Sequence, residues 1–164
     1  MAESSPLILF VCTGNICRSP MEEYLFREHH ARGRDWRVGG AGTHAPEGQP
    51  ASREAVRVLK DLGIDLKPHR SRMLTQELVD EASVIVVMTE GHRQICLERF
   101  PDAAEKVHVL KSFDAEALDV DVMDPIGYSQ VVYRAVRDEI AAALYGLESY
   151  LLANGLANEE SEER

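Results

Sequence analysis

Apolar residues occur along this chain in two ways, as unbroken runs and as stripes that recur every three or four positions. Leu7-Ile8-Leu9-Phe10-Val11 and Val84-Ile85-Val86-Val87-Met88 are unbroken, the mark of strands buried on both faces. Trp36–Gly42 and Val107–Leu110 are candidates for two further strands. Between them, Ala55, Val58, Leu59 and Leu62 share one helical face after Ser52, with Gly63 placed to close the helix. Thr75 is placed to cap a short helix, and Glu90–Phe100 reads as a helix stopped by Pro101. A last helix carries Val132, Val136, Ile140, Leu144, Leu147 and Leu151 as a long core-facing stripe. Strands alternating with helices predict the α/β class, with a parallel sheet covered on both faces. Neither a repeat nor a linker interrupts the pattern, so one domain is expected over residues 1–154, followed by a tail at 155–164.

The first strand runs into Cys12-Thr13-Gly14-Asn15-Ile16-Cys17-Arg18-Ser19-Pro20, and the character of the chain changes there. Ser19 as N-cap, Pro20 at the first helical position and Glu22 three residues after the serine read as a helix start with a capping box. A strand, a short glycine-containing loop and a helix N-terminus, in that order, aim unpaired N–H groups and the helix dipole at one spot, which suits an anion. A free thiol has a pKa of about 8.5, and beside an arginine at a helix N-terminus it typically falls to roughly 3.5–7.5. Cys12 is therefore expected as a resting thiolate. Arg18 offers a planar fork of donors for two phosphoryl oxygens at once. Gly14 allows the inward-facing amides of a phosphate nest. Ser19 is expected to accept from the helix backbone while donating its proton toward the Cys12 sulfur. The plain alternative is a buried structural cysteine after a core strand, which the glycine, asparagine, arginine and helix start around Cys12 argue against.

Phosphate ester cleavage also needs an acid for the leaving oxygen. Asp124 is the candidate: Pro125 biases it toward an extended conformation, and Gly127 allows a turn just beyond. An ordinary Asp-Pro turn before a helix is the competing reading. This chemistry requires no metal and no cofactor. His29-His30 are adjacent, and His44, His69, His92 and His108 are scattered, each reading as a surface or capping residue rather than a ligand.

Composition narrows the setting. The 164 residues, 45% hydrophobic and 28% charged, describe an ordinary globular chain. A net charge of −10 argues against a nucleic-acid partner. Part of that charge lies in the acidic tail, in Glu159, Glu160, Glu162 and Glu163, and that tail is expected to be disordered. No signal peptide or membrane-spanning segment is read, and Leu7–Val11 is too short to be either. The three cysteines do not form a disulfide framework, which points to a reducing, cytoplasmic compartment. A monomer is the default.

The loop resembles the active-site loop of the low-molecular-weight protein tyrosine phosphatases, and the resemblance extends from Leu7 to about Leu152. It implies a four-stranded parallel sheet with helices on both faces and the phosphate loop between first strand and first helix. It implies that Cys12 attacks phosphorus to form a phosphocysteine, and that Arg18 and the amides of Thr13, Gly14, Asn15, Ile16 and Cys17 bind phosphoryl oxygens. Asp124 then acts as general acid and base, and Asn15 and Ser19 shape the loop with His69 behind them. The implied partner is a phosphorylated protein. Ile16 bears on the substrate: related bacterial protein-arginine phosphatases have a threonine there, and an apolar residue favours phosphotyrosine. Ile16 packing only the loop underside is the competing reading. Asp124-Pro125-Ile126-Gly127 is more similar to the arginine-phosphatase branch. Animal members place aromatics directly after the Asp-Pro, whereas here Tyr128 comes later and either walls the substrate slot or packs at the helix start. Arsenate reductases share the loop but use two further cysteines, and only Cys96 lies in that region, read as a helix-face residue. An inactive phosphoprotein-binding module would be expected to lack Cys12, Arg18 or Asp124. Cys17 is a candidate redox partner for Cys12, with simple packing as the alternative.

Overall fold

Alternate residues of the first strand feed two separate cores. In the computed structural model, which describes residues 5–156, β1 spans Leu7–Cys12. Its Ile8, Phe10 and Cys12 join one hydrophobic cluster and its Leu7, Leu9 and Val11 the other. Both faces are covered, so the strand has no polar side and reads as an unbroken apolar run.

β1 pairs in parallel with β2 (Arg37–Gly42) on one side and β3 (Val84–Val87) on the other. β4 (Val107–Val109) continues beyond β3, giving one sheet in the order β2-β1-β3-β4. The larger core lies under α1 (Arg18–His29), α2 (Arg53–Lys60) and α5 (Gln130–Ala153). α3 (Gln76–Glu81) and α4 (Glu90–Arg99) cover the opposite face through Val79 and Cys96.

Most boundaries follow the local chemistry predicted for them. Ser52, Thr75 and Thr89 each accept a hydrogen bond from a first-turn amide of the helix that follows. The stripe on α5 is buried at Val136, Ile140, Leu144, Leu147 and Leu151, while Val132 is only half-buried. Leu62 departs from expectation: α2 ends at Lys60, and the chain turns through Gly63 at φ +76°, leaving Leu62 exposed. Glu90–Phe100 ends one residue early and passes through Pro101 into a 3₁₀ turn over Pro101–Lys106. A second 3₁₀ turn, Leu110–Phe113, packs so closely on α5 that a Cβ at Gly146 would lie 2.0 Å from the Phe113 carbonyl oxygen. At the end of α5 the Trp36 indole N–H donates to the Leu156 carbonyl at 2.8 Å. The acidic residues of the expected tail, from 157 onward, lie outside the described residues.

Candidate active site

The loop between β1 and α1 sits beyond the carboxyl end of a central strand, where α/β sheets bind ligands. Its sharpest bend is at Asn15, the one described non-glycine residue with positive φ, at 55°. A side chain in that region costs free energy unless its surroundings over-determine it. They do here. The Asn15 side chain donates to Ser19 Oγ at 2.7 Å and accepts from the Arg72 amide at 3.0 Å. Its carbonyl accepts from His69 Nε2–H at 2.6 Å, which fixes the His69 tautomer, and burial holds that imidazole below its usual pKa. The end of β2 closes against the same loop, since a Cβ at Gly42 would lie 2.4 Å from the Thr13 carbonyl oxygen.

Helix α1 begins two residues earlier than the capping-box reading required, so that reading does not hold. Arg18 is the first helical residue, Cys17 stands at the N-cap, and no side chain caps the end. Ser19 lies inside the helix, where its oxygen accepts from Asn15 rather than from the helix backbone. Its hydroxyl stands 3.0 Å from Cys12 Sγ and is free to donate to it. Glu22, expected as the capping acid, is instead wholly buried.

Arg18 is only 4% exposed, and three groups hold its guanidinium. Nη1 donates to the Val122 carbonyl at 3.0 Å, Nη2 to Thr13 Oγ1 at 3.5 Å, and Nη2 lies 3.6 Å from Asp124 Oδ2. Thr13 Oγ1 is bonded in turn to His92 Nε2 at 2.8 Å. His92 therefore departs from the surface or capping reading given to it. It is buried, and burial reinforced by the Arg18 charge pushes its pKa down to about 4, so it is neutral at ordinary pH. Nothing in the sequence links His92 to the loop. The signal was local only, a helix start at Thr89, and the fold brings that start against Thr13.

Asp124 comes from the segment between the second 3₁₀ turn and α5. The segment before it is anchored: the Val122 amide donates to the Met88 carbonyl at 2.9 Å, and Asp121 accepts from the Glu90 amide at 2.9 Å. Lys111 is buried and binds Asp119, Glu139 and the Asp121 carbonyl. Past Val122 the chain turns outward. Asp124 accepts from the Ile126 amide at 3.1 Å, Gly127 has φ +80°, and Met123, Ile126 and Tyr128 are exposed.

Thr13, Gly14, Ile16, Cys17, Arg18, Asp124 and Ile126 line one cavity of about 190 Å³. Ile16 both lines it and packs against the larger core. Ile126, and not Tyr128, stands beside Asp124 in that lining. Cys17 points away, with Sγ 3.3 Å from the Tyr133 hydroxyl and 3.5 Å from Ser52 Oγ, and burial pushes its thiol pKa up. Cys12 is not among those lining residues; it is buried where β1 enters the loop, with its sulfur on Ser19. A cysteine at the root of a loop whose cavity carries a fork of donors, backbone amides and a carboxyl can carry out nucleophilic displacement at a phosphoryl group.

A family model described as low molecular weight phosphotyrosine protein phosphatase matches residues 7–159. A protein-arginine-phosphatase of Geobacillus stearothermophilus is 46% identical over 133 residues, covering 81% of this chain and 87% of that protein. A low molecular weight protein-tyrosine-phosphatase of Acinetobacter johnsonii is 31% identical over 126 residues, covering 77% of this chain and 84% of that one. Among solved structures, the YwlE arginine phosphatase from Geobacillus stearothermophilus superposes with a TM-score of 0.84 at 41% identity, over 97% of this chain and 99% of that chain.

Proposed function

We propose a function from the premise that this chain belongs to the low molecular weight phosphotyrosine protein phosphatase family. It is a phosphatase, and its substrate is phosphotyrosine in proteins. One observation carries the assignment of roles: Arg18 and Asp124, distant in sequence, lie 3.6 Å apart in the cavity that the loop lines. Arg18 and the loop amides grip the phosphoryl oxygens. The Cys12 thiolate, held by the Ser19 hydroxyl, attacks phosphorus. The P–O bond to tyrosine breaks as protonated Asp124 gives its proton to the departing phenolate oxygen. A water molecule then gives a proton to the Asp124 carboxylate while its oxygen attacks phosphorus. The S–P bond breaks, the thiolate is restored, and inorganic phosphate leaves. None of these steps calls for a metal or a cofactor.

Ile16 and Ile126 give the cavity two apolar walls, which suit a phenyl ring better than a guanidinium. The second reading is a protein-arginine phosphatase, favoured by the 46% identity to such an enzyme. The same steps would then break a P–N bond, with Asp124 protonating nitrogen. Turnover of matched phosphotyrosine and phosphoarginine peptides, by wild type and Ile16→Thr, separates the two. Wild type is expected to prefer phosphotyrosine, and Ile16→Thr to shift the ratio toward phosphoarginine. Equal or faster phosphoarginine turnover by wild type overturns the assignment.

The enzyme is assigned to the cytoplasm and to a monomeric state, without nucleic-acid or membrane partners, and the need for a free Cys12 thiol supports a reducing compartment. Among the described residues no helix is long and apolar enough to cross a membrane. Cys17 is proposed to resolve oxidised Cys12: the sulfenic acid on Cys12 condenses with the Cys17 thiol, forming a disulfide and releasing water.

A further inference from the structure

Among the described residues, four buried side-chain nitrogen or oxygen atoms lack a hydrogen-bond partner, and they belong to Arg18 and to two groups that each feel its charge. They are Arg18 Nε, both carboxyl oxygens of Glu22, and His92 Nδ1. A buried polar atom without a partner costs roughly 1–3 kcal/mol, so such a cluster around one arginine needs a reason. Arg18 Nε is one: an incoming phosphate oxygen can take it. Glu22 has no such account, because it is wholly buried beneath the loop and does not line the cavity.

Glu22 follows Arg18 by four positions on α1, the spacing that stacks two side chains on one helix face. A carboxylate there would draw the guanidinium inward and compete with phosphate for its charge. A neutral carboxylic acid would not. The charges facing Glu22 are the Cys12 sulfur from β1 and Arg18 on its own helix. From α5, Tyr133 is bonded to Cys17, and Arg137 donates to the Val58 carbonyl and pairs with Asp61 and Asp138. The neighbouring Glu23 is paired with Arg27. Among the described residues, Arg18 is the one cation that acts on Glu22. Burial pushes the Glu22 carboxyl well above the usual carboxylate range, the Cys12 charge raises it further, and Arg18 opposes both.

We propose that Glu22 is a positioning residue that keeps its proton in the working enzyme, leaving the charge of Arg18 to phosphate, and that its ionisation turns the guanidinium inward and weakens phosphate binding. The proposal rests on the reading of Arg18 as the phosphate clamp. Protonated Glu22 favours bound phosphate, so affinity falls as pH rises through the Glu22 pKa, and bound phosphate moves that pKa upward.

The test is the competitive inhibition constant of inorganic phosphate against p-nitrophenyl phosphate, measured across pH for wild type and Glu22→Gln. Taking the ratio of the two constants at each pH cancels the titration of phosphate itself. The expected result is a ratio of wild type to Glu22→Gln that climbs about tenfold or more from mildly acidic to mildly alkaline pH, tenfold being one unit of coupled pKa shift. A ratio flat across the range overturns the proposal. Should Glu22→Gln not fold, the pH-titrated infrared spectrum of the wild type decides. A buried carboxylic-acid band persisting at neutral pH, and lost at higher pH once phosphate is added, supports the proposal. The absence of that band overturns it. Failure of wild type to hydrolyse p-nitrophenyl phosphate would instead overturn the reading of Arg18 and the phosphatase assignment.

Discussion

The two halves of the site are built on opposite plans. The phosphate loop is held from several sides, with Asn15, Cys17, Arg18 and Ser19 buried, and Asn15 alone is bonded to Ser19, Arg72 and His69. The acid segment is fastened at its root, through Lys111, Asp121 and Val122, and carries a half-exposed Asp124 on an outward turn, where it meets Arg18. The difference follows from what each must do. Donors that stabilise a developing charge work best when already in place. An acid that meets leaving groups of different size, and then a water, needs room. On the proposed roles, rigidity in the loop serves binding and stability together, while the Asp124 segment serves chemistry.

Four substitutions can break or sharpen that contrast. Cys12→Ser is expected to lose all measurable release of p-nitrophenol while still binding phosphate by calorimetry. Residual turnover in pure protein would remove Cys12 from its role. Asp124→Asn should lower kcat on a phosphotyrosine peptide by roughly 10²–10⁴-fold. Its stability to urea should stay within about 0.5 kcal/mol of wild type, as for other exposed positions. Asn15→Ala should cost both, with stability falling by about 2–4 kcal/mol because buried partners lose their bonds and alanine keeps the positive φ. A loss of activity without a loss of stability would mean that the loop is not held as the contacts imply. The smallest effect on the resting enzyme is expected from Cys17→Ser. There the readout is peroxide inactivation, which should no longer be reversed by thiols, and full reversal would return Cys17 to a packing role.

A pH dependence follows from His92. Its folded pKa of about 4 lies below the ordinary 6.5, so the unfolded chain takes up a proton first as pH falls. Stability is then fully present above pH 6.5 and is lost progressively down to about pH 4, by up to about 3 kcal/mol. Burial also holds His69 below its usual value, which adds in the same direction. Urea unfolding of wild type and His92→Gln at several pH values measures the share of His92. Parallel curves would show that His92 contributes none of it.

Much of this was legible in the sequence because it is local. The unbroken runs give β1 and β3, the capping residues Ser52 and Thr75 open the predicted helices, and the loop residues from Cys12 to Ser19 are contiguous. The capping box failed because the helix opens at Arg18 and tertiary packing sets both side chains: Ser19 accepts from Asn15, and Glu22 is buried without a hydrogen-bond partner. His92 was illegible for a related reason, since a histidine in the first turn of a helix looks the same whether it faces water or Thr13.

The sequence by itself determined the α/β class and the loop from Cys12 to Ser19, and it supplied the groups proposed to attack, grip and donate a proton. Periodicity, helix capping and thiol chemistry depend on neighbours in the chain. Only the tertiary structure decided which groups meet: Asp124 beside Arg18, His92 against Thr13, Ile126 instead of Tyr128 at the cavity wall, and Glu22 sealed beneath the loop. Those meetings depend on how the sheet and helices pack. Packing also sets the low dielectric and the missing partners that fix whether a buried acid keeps its proton.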